Sequence, residues 1–224
     1  MTDDELIIVF SKLAAPGQVK TRLIPPFTPE EAAEFHLALL DDVLSTARLV
    51  AGDQVELWVA GSEVDARSFR HRYPTLPVRC QQGRQLGQRL THAFEDCFAR
   101  GLARVLVVGS DHPTLPPPHL QQLLLGVAES DIGFGPSRDG GYYAVAVRRQ
   151  SWPHARVAFQ DIPWSTDAVL ERSLEIAGRA GLKVSLADEW YDVDRPADLE
   201  LLRRDLRPDS AAAVFLRKTQ RRRA

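Results

Sequence analysis

Short apolar runs alternate with segments of helical periodicity along the whole chain. Val105, Leu106, Val107 and Val108 lack the polar alternation of a half-exposed strand, so Arg104–Gly109 reads as a central parallel strand covered by helices on both faces. Further strands are predicted at Leu6–Ser11, Gln54–Ala60, Val78–Gln81, Asp131–Gly135, Tyr142–Val147 and Leu182–Leu186, rich in β-branched residues and bounded by turn formers. Helices fill the intervals. Thr28-Pro-Glu-Glu31 is a capping box with proline at the first helical position, and it opens a helix to about Val50 with Phe35, Leu39, Val43 and Leu44 on its apolar stripe. Other helices are predicted over Ser62–Tyr73, Leu86–Arg100, Pro117–Ala128, Thr166–Arg179 and Pro196–Arg204. Repeated β-α alternation implies an α/β fold with a mostly parallel sheet and right-handed crossovers. Between Gly135 and Val147 two strand candidates lie too close for a helical crossover, which predicts a small antiparallel insertion.

The 224 residues, 44% of them hydrophobic, suit one α/β core, so a single domain is expected over 1–206, followed by a basic C-terminal tail, 207–224. The run from Arg217 to Arg223 reads as a solvated end. A formal net charge of −2 argues against a nucleic-acid partner. The acidic start, Met1 to Glu5, and the brevity of Leu6–Phe10 predict neither a targeting segment nor a membrane span, so the expected location is cytoplasmic. Cys80 and Cys97 lack the paired spacing of a zinc or redox site and read as reduced thiols.

Candidate chemistry gathers at the carboxyl ends of predicted strands, where open α/β sheets keep their ligand crevice. Asp111 follows the Arg104–Gly109 strand and can hold a divalent cation or accept a proton, although an Asp before a proline-containing turn also caps helices. The loop after the first strand carries Lys12, Lys20 and Arg22, cations suited to phosphate, but it is neither a Walker A loop nor a dinucleotide fingerprint. Gly83 and Gly87 mark a strand-to-helix junction that suits a base, a phosphate or tight packing. Asp139-Gly140-Gly141-Tyr142 reads either as a plain hairpin turn or as a place where a ligand approaches the backbone. Trp164 stands beside a Ser/Thr helix start, where packing is the simpler reading. Asp192 and Asp194 share one side of an extended segment, and either can complete an oxygen-rich Mg²⁺ site with Asp111, or Asp194 can cap the next helix.

Together FSKLAAPGQVKTRL, VVGSDHPTL, GPSRDGGYYAVAV, IPWST and DVDRPADL, in that order over residues 6–202, resemble the nucleotide-diphospho-sugar transferase superfamily. The nearest likeness is to its bacterial glycosyltransferase-like, or radical-SAM/selenium-domain-associated transferase, family. The resemblance implies a type-A glycosyltransferase fold and a nucleotide site with Lys12, Lys20 and Arg22 near the phosphates, and the Gly83 and Gly87 junction is expected to belong to the same nucleotide site. It also implies Mg²⁺ or Mn²⁺ on Asp111 and Asp194. The chain is similar as well to 2-phospho-L-lactate guanylyltransferases and molybdenum-cofactor guanylyltransferases. It lacks the Gly-Gly-x-Ser-x-Arg loop of the latter and the Gly-Thr-Asn segment of the former, departures that favour another acceptor.

The expected activity is metal-dependent glycosyl transfer from a nucleoside-diphosphate sugar to an acceptor that the sequence does not name. In it Lys20 and Arg22 stabilise developing charge, Asp139 positions or deprotonates the acceptor, and Gly140, Gly141, Tyr142 and Trp164 shape the acceptor side. The alternatives are nucleotidyl transfer from a nucleoside triphosphate and a non-catalytic nucleotide-binding module.

Overall fold

A computed structural model describes residues 4–223; residues 1–3 and 224, the extremes of the expected spans, lie outside the described residues. Seven strands, β1 (Glu5–Lys12), β2 (Val55–Ala60), β3 (Val78–Cys80), β4 (Arg104–Gly109), β5 (Ile132–Pro136), β6 (Tyr142–Arg148) and β7 (Val184–Leu186), form one sheet. Their order is β3-β2-β1-β4-β6-β5-β7. Every adjacent pair is parallel except those made by β6, which runs antiparallel to both neighbours, opposing Val145 to Val107 on β4 and to Phe134 on β5. The antiparallel element predicted from the short spacing therefore lies inside the sheet, with Ser137–Gly141 as its hairpin turn.

Burial on both faces explains why β1 and β4 are apolar without alternation. Ile7 and Val9 point to one face and Leu6, Ile8 and Phe10 to the other, as the two-residue strand period requires. The first face is covered by α1 (Pro29–Ala51), α2 (Glu63–Arg72) and α4 (Pro117–Glu129), which contribute Val43, Phe69 and Leu123. The second is covered by α3 (Leu86–Ala99), whose Phe94 stacks on Phe159 at 5.6 Å. The predicted capping box of Thr28 with Glu31 is formed, and a second, of Ser62 with Asp65, opens α2. Arg149–Phe159 folds into short turns around a four-residue helix, α5 (Trp152–Ala155), which has too few residues for periodicity to show. The remaining helices are α6 (Val169–Arg179), α7 (Asp198–Asp205) and α8 (Ala211–Arg223).

The cations of the basic end are exposed, as the sequence suggested, but they are carried on a helix that packs on the domain. Residues 211–223 form α8, which turns Phe215 and Leu216 onto α1 and keeps Arg221 and Arg222 outside. Its first-turn N–H groups, at Ala211 and Ala212, donate to the Asp42 carboxylate of α1 at 2.8 and 2.9 Å, so α1 caps α8. The helix has no periodic stripe to betray it, since its apolar residues form one block, Ala211–Leu216, ahead of the basic run, and Asp42 on a distant element shares its cap with the local Ser210. Phe215 and Leu216 join Leu23, Phe27, Phe35, Leu39, Tyr191 and Val193 in a third core beneath the loops at the sheet's carboxyl edge. Among the described residues no helix is long and apolar enough to cross a membrane.

Candidate active site

β1, β2 and β4 end side by side at Lys12, Ala60 and Gly109, and a cavity of about 220 Å³ opens there. The loop after β1 enters it with Lys20 in the left-handed region, φ 49° and ψ 34°, ahead of a 3-10 turn over Thr21–Leu23. That backbone turns a buried ammonium inward. Lys20 Nζ donates to the Val193 carbonyl at 2.6 Å and stands 2.7 Å from Asp111 Oδ1. The backbone repeats the link, since Val193 N–H donates to the Asp111 carbonyl at 3.0 Å and His112 Nδ1 lies 3.1 Å from the Tyr191 carbonyl. Residues around 20, 111 and 193, remote in sequence, thus form one unit.

Burial opposes ionisation of Asp111, but Lys20, with lesser help from His36, holds its carboxyl well below the usual carboxylate range. His36, on α1, has Nε2 3.0 Å from Ser11 Oγ and 3.3 Å from the Lys12 carbonyl, and its Nδ1 is 3.9 Å from Asp111 Oδ1. Its pKa is lowered, first by burial, which the attraction of Asp111 only partly offsets. His36 was invisible as a site residue because it sits among the apolar positions of a helix.

Asp194 reaches the same cavity as Asp111, with Arg22 Nη1 2.6 Å from its Oδ2. It does not cap α7: the N–H groups of residues 194 and 195 both donate to Asp198 Oδ2, at 2.9 and 2.6 Å. Asp192 is half-buried, and its pKa is pushed up to about 6 by burial and then by the negative charge of Asp139, with a further contribution from Asp111. Carboxylates therefore crowd this edge.

Asp139 Oδ1 accepts the Gly141 N–H at 2.9 Å, closing the β5–β6 hairpin turn. Gly140 has φ +86°, and a Cβ there would lie 2.0 Å from the Asp167 carbonyl oxygen, so its bareness admits the segment leading into α6. Tyr142 packs its ring 5.1 Å from Phe134 and 6.2 Å from Trp164, in the second core. A Cβ on Gly87 would lie 2.4 Å from the Phe159 carbonyl oxygen and 3.0 Å from Trp164 Nε1, and one on Gly83 2.7 Å from Gln88 Cβ. Gly87 is thus buried behind the wall and Gly83 forms an exposed bend, so neither lines the cavity, whereas Gln81, Leu86 and Arg89 of the same segment do. The glycines were the legible signal there, and the side chains around them line the space.

Among the described residues no three His, Cys, Asp or Glu side chains are grouped to hold a metal ion. Mg²⁺ commonly takes only one or two protein carboxylates and completes its octahedron with water and substrate phosphate. Asp111 and Asp194 on one cavity, beside the crowded Asp192, fit that donor set.

A family model matches residues 43–166, which hold Asp111 and the Asp139 turn but not the loop after β1 or Asp194. The chain belongs to the bacterial family DUF2064, described as an uncharacterized protein conserved in bacteria. It is 29% identical over 203 residues to the 2-phospho-L-lactate guanylyltransferase of Halorubrum lacusprofundi, covering 88% of this chain and 83% of that protein. A crystal structure from Desulfovibrio desulfuricans G20, provisionally assigned as a nucleotide-diphospho-sugar transferase, is 30% identical with a TM-score of 0.87, over 98% of this chain and 96% of that one. Glucosyl-3-phosphoglycerate synthase of Mycobacterium tuberculosis, solved with Mn²⁺, UDP and glucosyl-3-phosphoglycerate, shares the fold at a TM-score of 0.54 and 12% identity, over 88% and 74% of the chains. The DUF2064 chain thus has a nucleotide-diphospho-sugar transferase-like fold, and its relatives are transferases.

Proposed function

We propose that this DUF2064 protein is a metal-dependent transferase that takes a nucleotide-activated substrate in the cavity at the carboxyl ends of β1, β2 and β4, with a nucleoside-diphosphate sugar as donor. The observation that carries the reading is the meeting of Lys12 and Lys20 with Asp111 and Asp194 on one cavity wall. An ammonium has three N–H donors, and Lys20 spends two on Asp111 and the Val193 carbonyl, leaving one for a phosphate oxygen. Lys12 adds an exposed cation at the end of β1.

Asp111 and Asp194 would hold Mg²⁺ or Mn²⁺, which supplies charge neutralisation at the leaving diphosphate. Arg22, which Asp194 holds at 2.6 Å, would be released to a phosphate oxygen if that carboxylate held the cation. Asp139 uses Oδ1 for the Gly141 N–H and keeps Oδ2 for the acceptor hydroxyl. Of the residues expected on the acceptor side, Gly140 and Gly141 stand at the Asp139 turn, while Tyr142 and Trp164 pack behind it in the second core and would support that side rather than line it. The span 1–206 carries this site, and α8 supports it from below.

The 29%-identical guanylyltransferase favours a second reading in the same cavity, nucleotidyl transfer from a nucleoside triphosphate. Thermal stabilisation by nucleoside diphosphates, triphosphates and nucleotide sugars, with and without Mn²⁺, separates the readings, since ligand at about 100 times its Kd adds about 2.7 kcal/mol. Diphosphate sugars stabilising more than triphosphates, with the Mn²⁺ dependence lost in Asp111→Asn, supports the first. Triphosphate preference with pyrophosphate release supports the second. An unchanged Mn²⁺ response in Asp111→Asn refutes the metal assignment.

A further inference from the structure

The cavity has a second end, towards β3 and away from the carboxylates, walled by Gln81, Leu86 and Arg89. Gln81 Nε2 donates to the Ser11 carbonyl at 3.2 Å and to the Trp58 carbonyl at 2.8 Å. Both amide hydrogens are therefore spent on the ends of β1 and β2. The carboxamide is fixed, and Oε1 is the polar atom left for a ligand, as an acceptor only. Arg89 is oriented by its Nε, which donates to the Gly83 carbonyl at 3.0 Å. Among the described residues no carboxylate pairs with it, so its Nη groups stay available. Leu86 stands 41% exposed between them, an apolar surface of the kind that packs on an aromatic ring face.

An acceptor beside a guanidinium fork selects among bases. We infer that this end of the cavity reads guanine, with Gln81 Oε1 accepting from the N1–H and amino group, Arg89 donating to O6 and N7, and Leu86 against the ring. Adenine is ordinarily read by glutamine through a bidentate contact that needs a free amide N–H, which Gln81 no longer has. Pyrimidines lack N7 and forfeit half of the arginine contact. The inference rests on the reading that the cavity takes a nucleotide and deepens it by naming the base.

The test is isothermal titration of the full chain, in Mg²⁺, with GDP, IDP, ADP, UDP and pyrophosphate. GDP should bind at least about tenfold tighter than ADP or UDP, the discrimination of one good bidentate contact, with IDP between them for want of the amino group. Gln81→Met and Arg89→Lys should each bring the GDP-to-ADP ratio within about threefold, while pyrophosphate, which has no base, changes by less than about twofold. Arg89→Lys keeps the charge and breaks no strand-end bond, so it reads the base contact even where Gln81→Met loosens the sheet. Equal binding of GDP and ADP or UDP by the unaltered chain, or a ratio preserved in both variants, overturns guanine readout and leaves the nucleotide site standing. Binding of neither nucleotides nor pyrophosphate overturns the nucleotide reading and this inference with it.

Discussion

Replacing Lys20 by methionine tests whether a buried ammonium ties the site together. The strain of φ 49° is common to both residues and cancels, so the change isolates the charge and its donors. The Val193 carbonyl loses its 2.6 Å donor, a loss of roughly 1–3 kcal/mol for a buried acceptor left unmatched. Breaking a fully buried ion pair costs about 3–5 kcal/mol. Here the Lys20 side chain is 3% exposed but that of Asp111 is 40% exposed, so water takes over much of the screening and the pair adds only about 1 kcal/mol. Lys20→Met should therefore lose about 2–4 kcal/mol in urea unfolding at pH 7, with Asp111→Asn in the same chain recovering about 1 kcal/mol of it as coupling.

The acid limb supplies an independent readout. Because Asp111 is held below its unfolded pKa of about 3.9, its contribution is complete above that pH and is lost as pH falls below it. Lys20→Met should flatten this limb. A loss below about 0.5 kcal/mol with an unchanged acid limb would refute the account.

Other elements give equally direct expectations. Gly140→Ala meets both a φ of +86° and the Asp167 carbonyl, and should cost more than about 2 kcal/mol in thermal unfolding; a loss under about 1 kcal/mol means the α6 approach is loose. Phe215→Ala empties a ring position 5.2 Å from Phe35 and 5.5 Å from Phe27 and should lose about 3 kcal/mol, whereas a solvated α8 predicts no change in the urea midpoint. Asp131 is held down to about pKa 2, first by Ser151, then by the Lys183 N–H and Arg148. Asp131→Asn should cost about 2 kcal/mol at neutral pH, and the deficit should disappear as pH falls from about 4 towards 2; a deficit that persists at pH 2 contradicts the linkage.

The strands were legible because burial on both faces leaves an unmistakable mark, as in Val105–Val108, and the capping box that opens α1 because Thr28 and Glu31 are local. Asp111 was legible for the same reason, standing just beyond a run that must be central. Asp192 and Asp194 could be seen as a pair but not told apart, since Arg22 and the neighbouring charges that distinguish them come from distant segments. His36, Gln81 and Arg89 escaped notice for want of local pattern: a histidine on an apolar helix face and polar residues flanking glycines mean little until the strands bring Ser11 and Trp58 beside them. Half of the cap on α8 is local, Ser210 Oγ accepting the Ala213 N–H at 3.2 Å, but the Asp42 half was unreadable because Asp42 and Ala211 are 169 residues apart.

The third core gives the cavity a foundation separate from the sheet. Leu23 lies beside the Lys20 turn, Tyr191 and Val193 flank Asp192, and all three residues rest with α8 on α1. Such a cluster opens as one cooperative unit with its own free energy, below that of the central strands. Amide exchange at Leu23, Tyr191 and Val193 then keeps time with the Phe215 turn of α8 rather than with neighbouring β4. The stiffness of the loop after β1 would thereby be set by a helix that does not line the cavity.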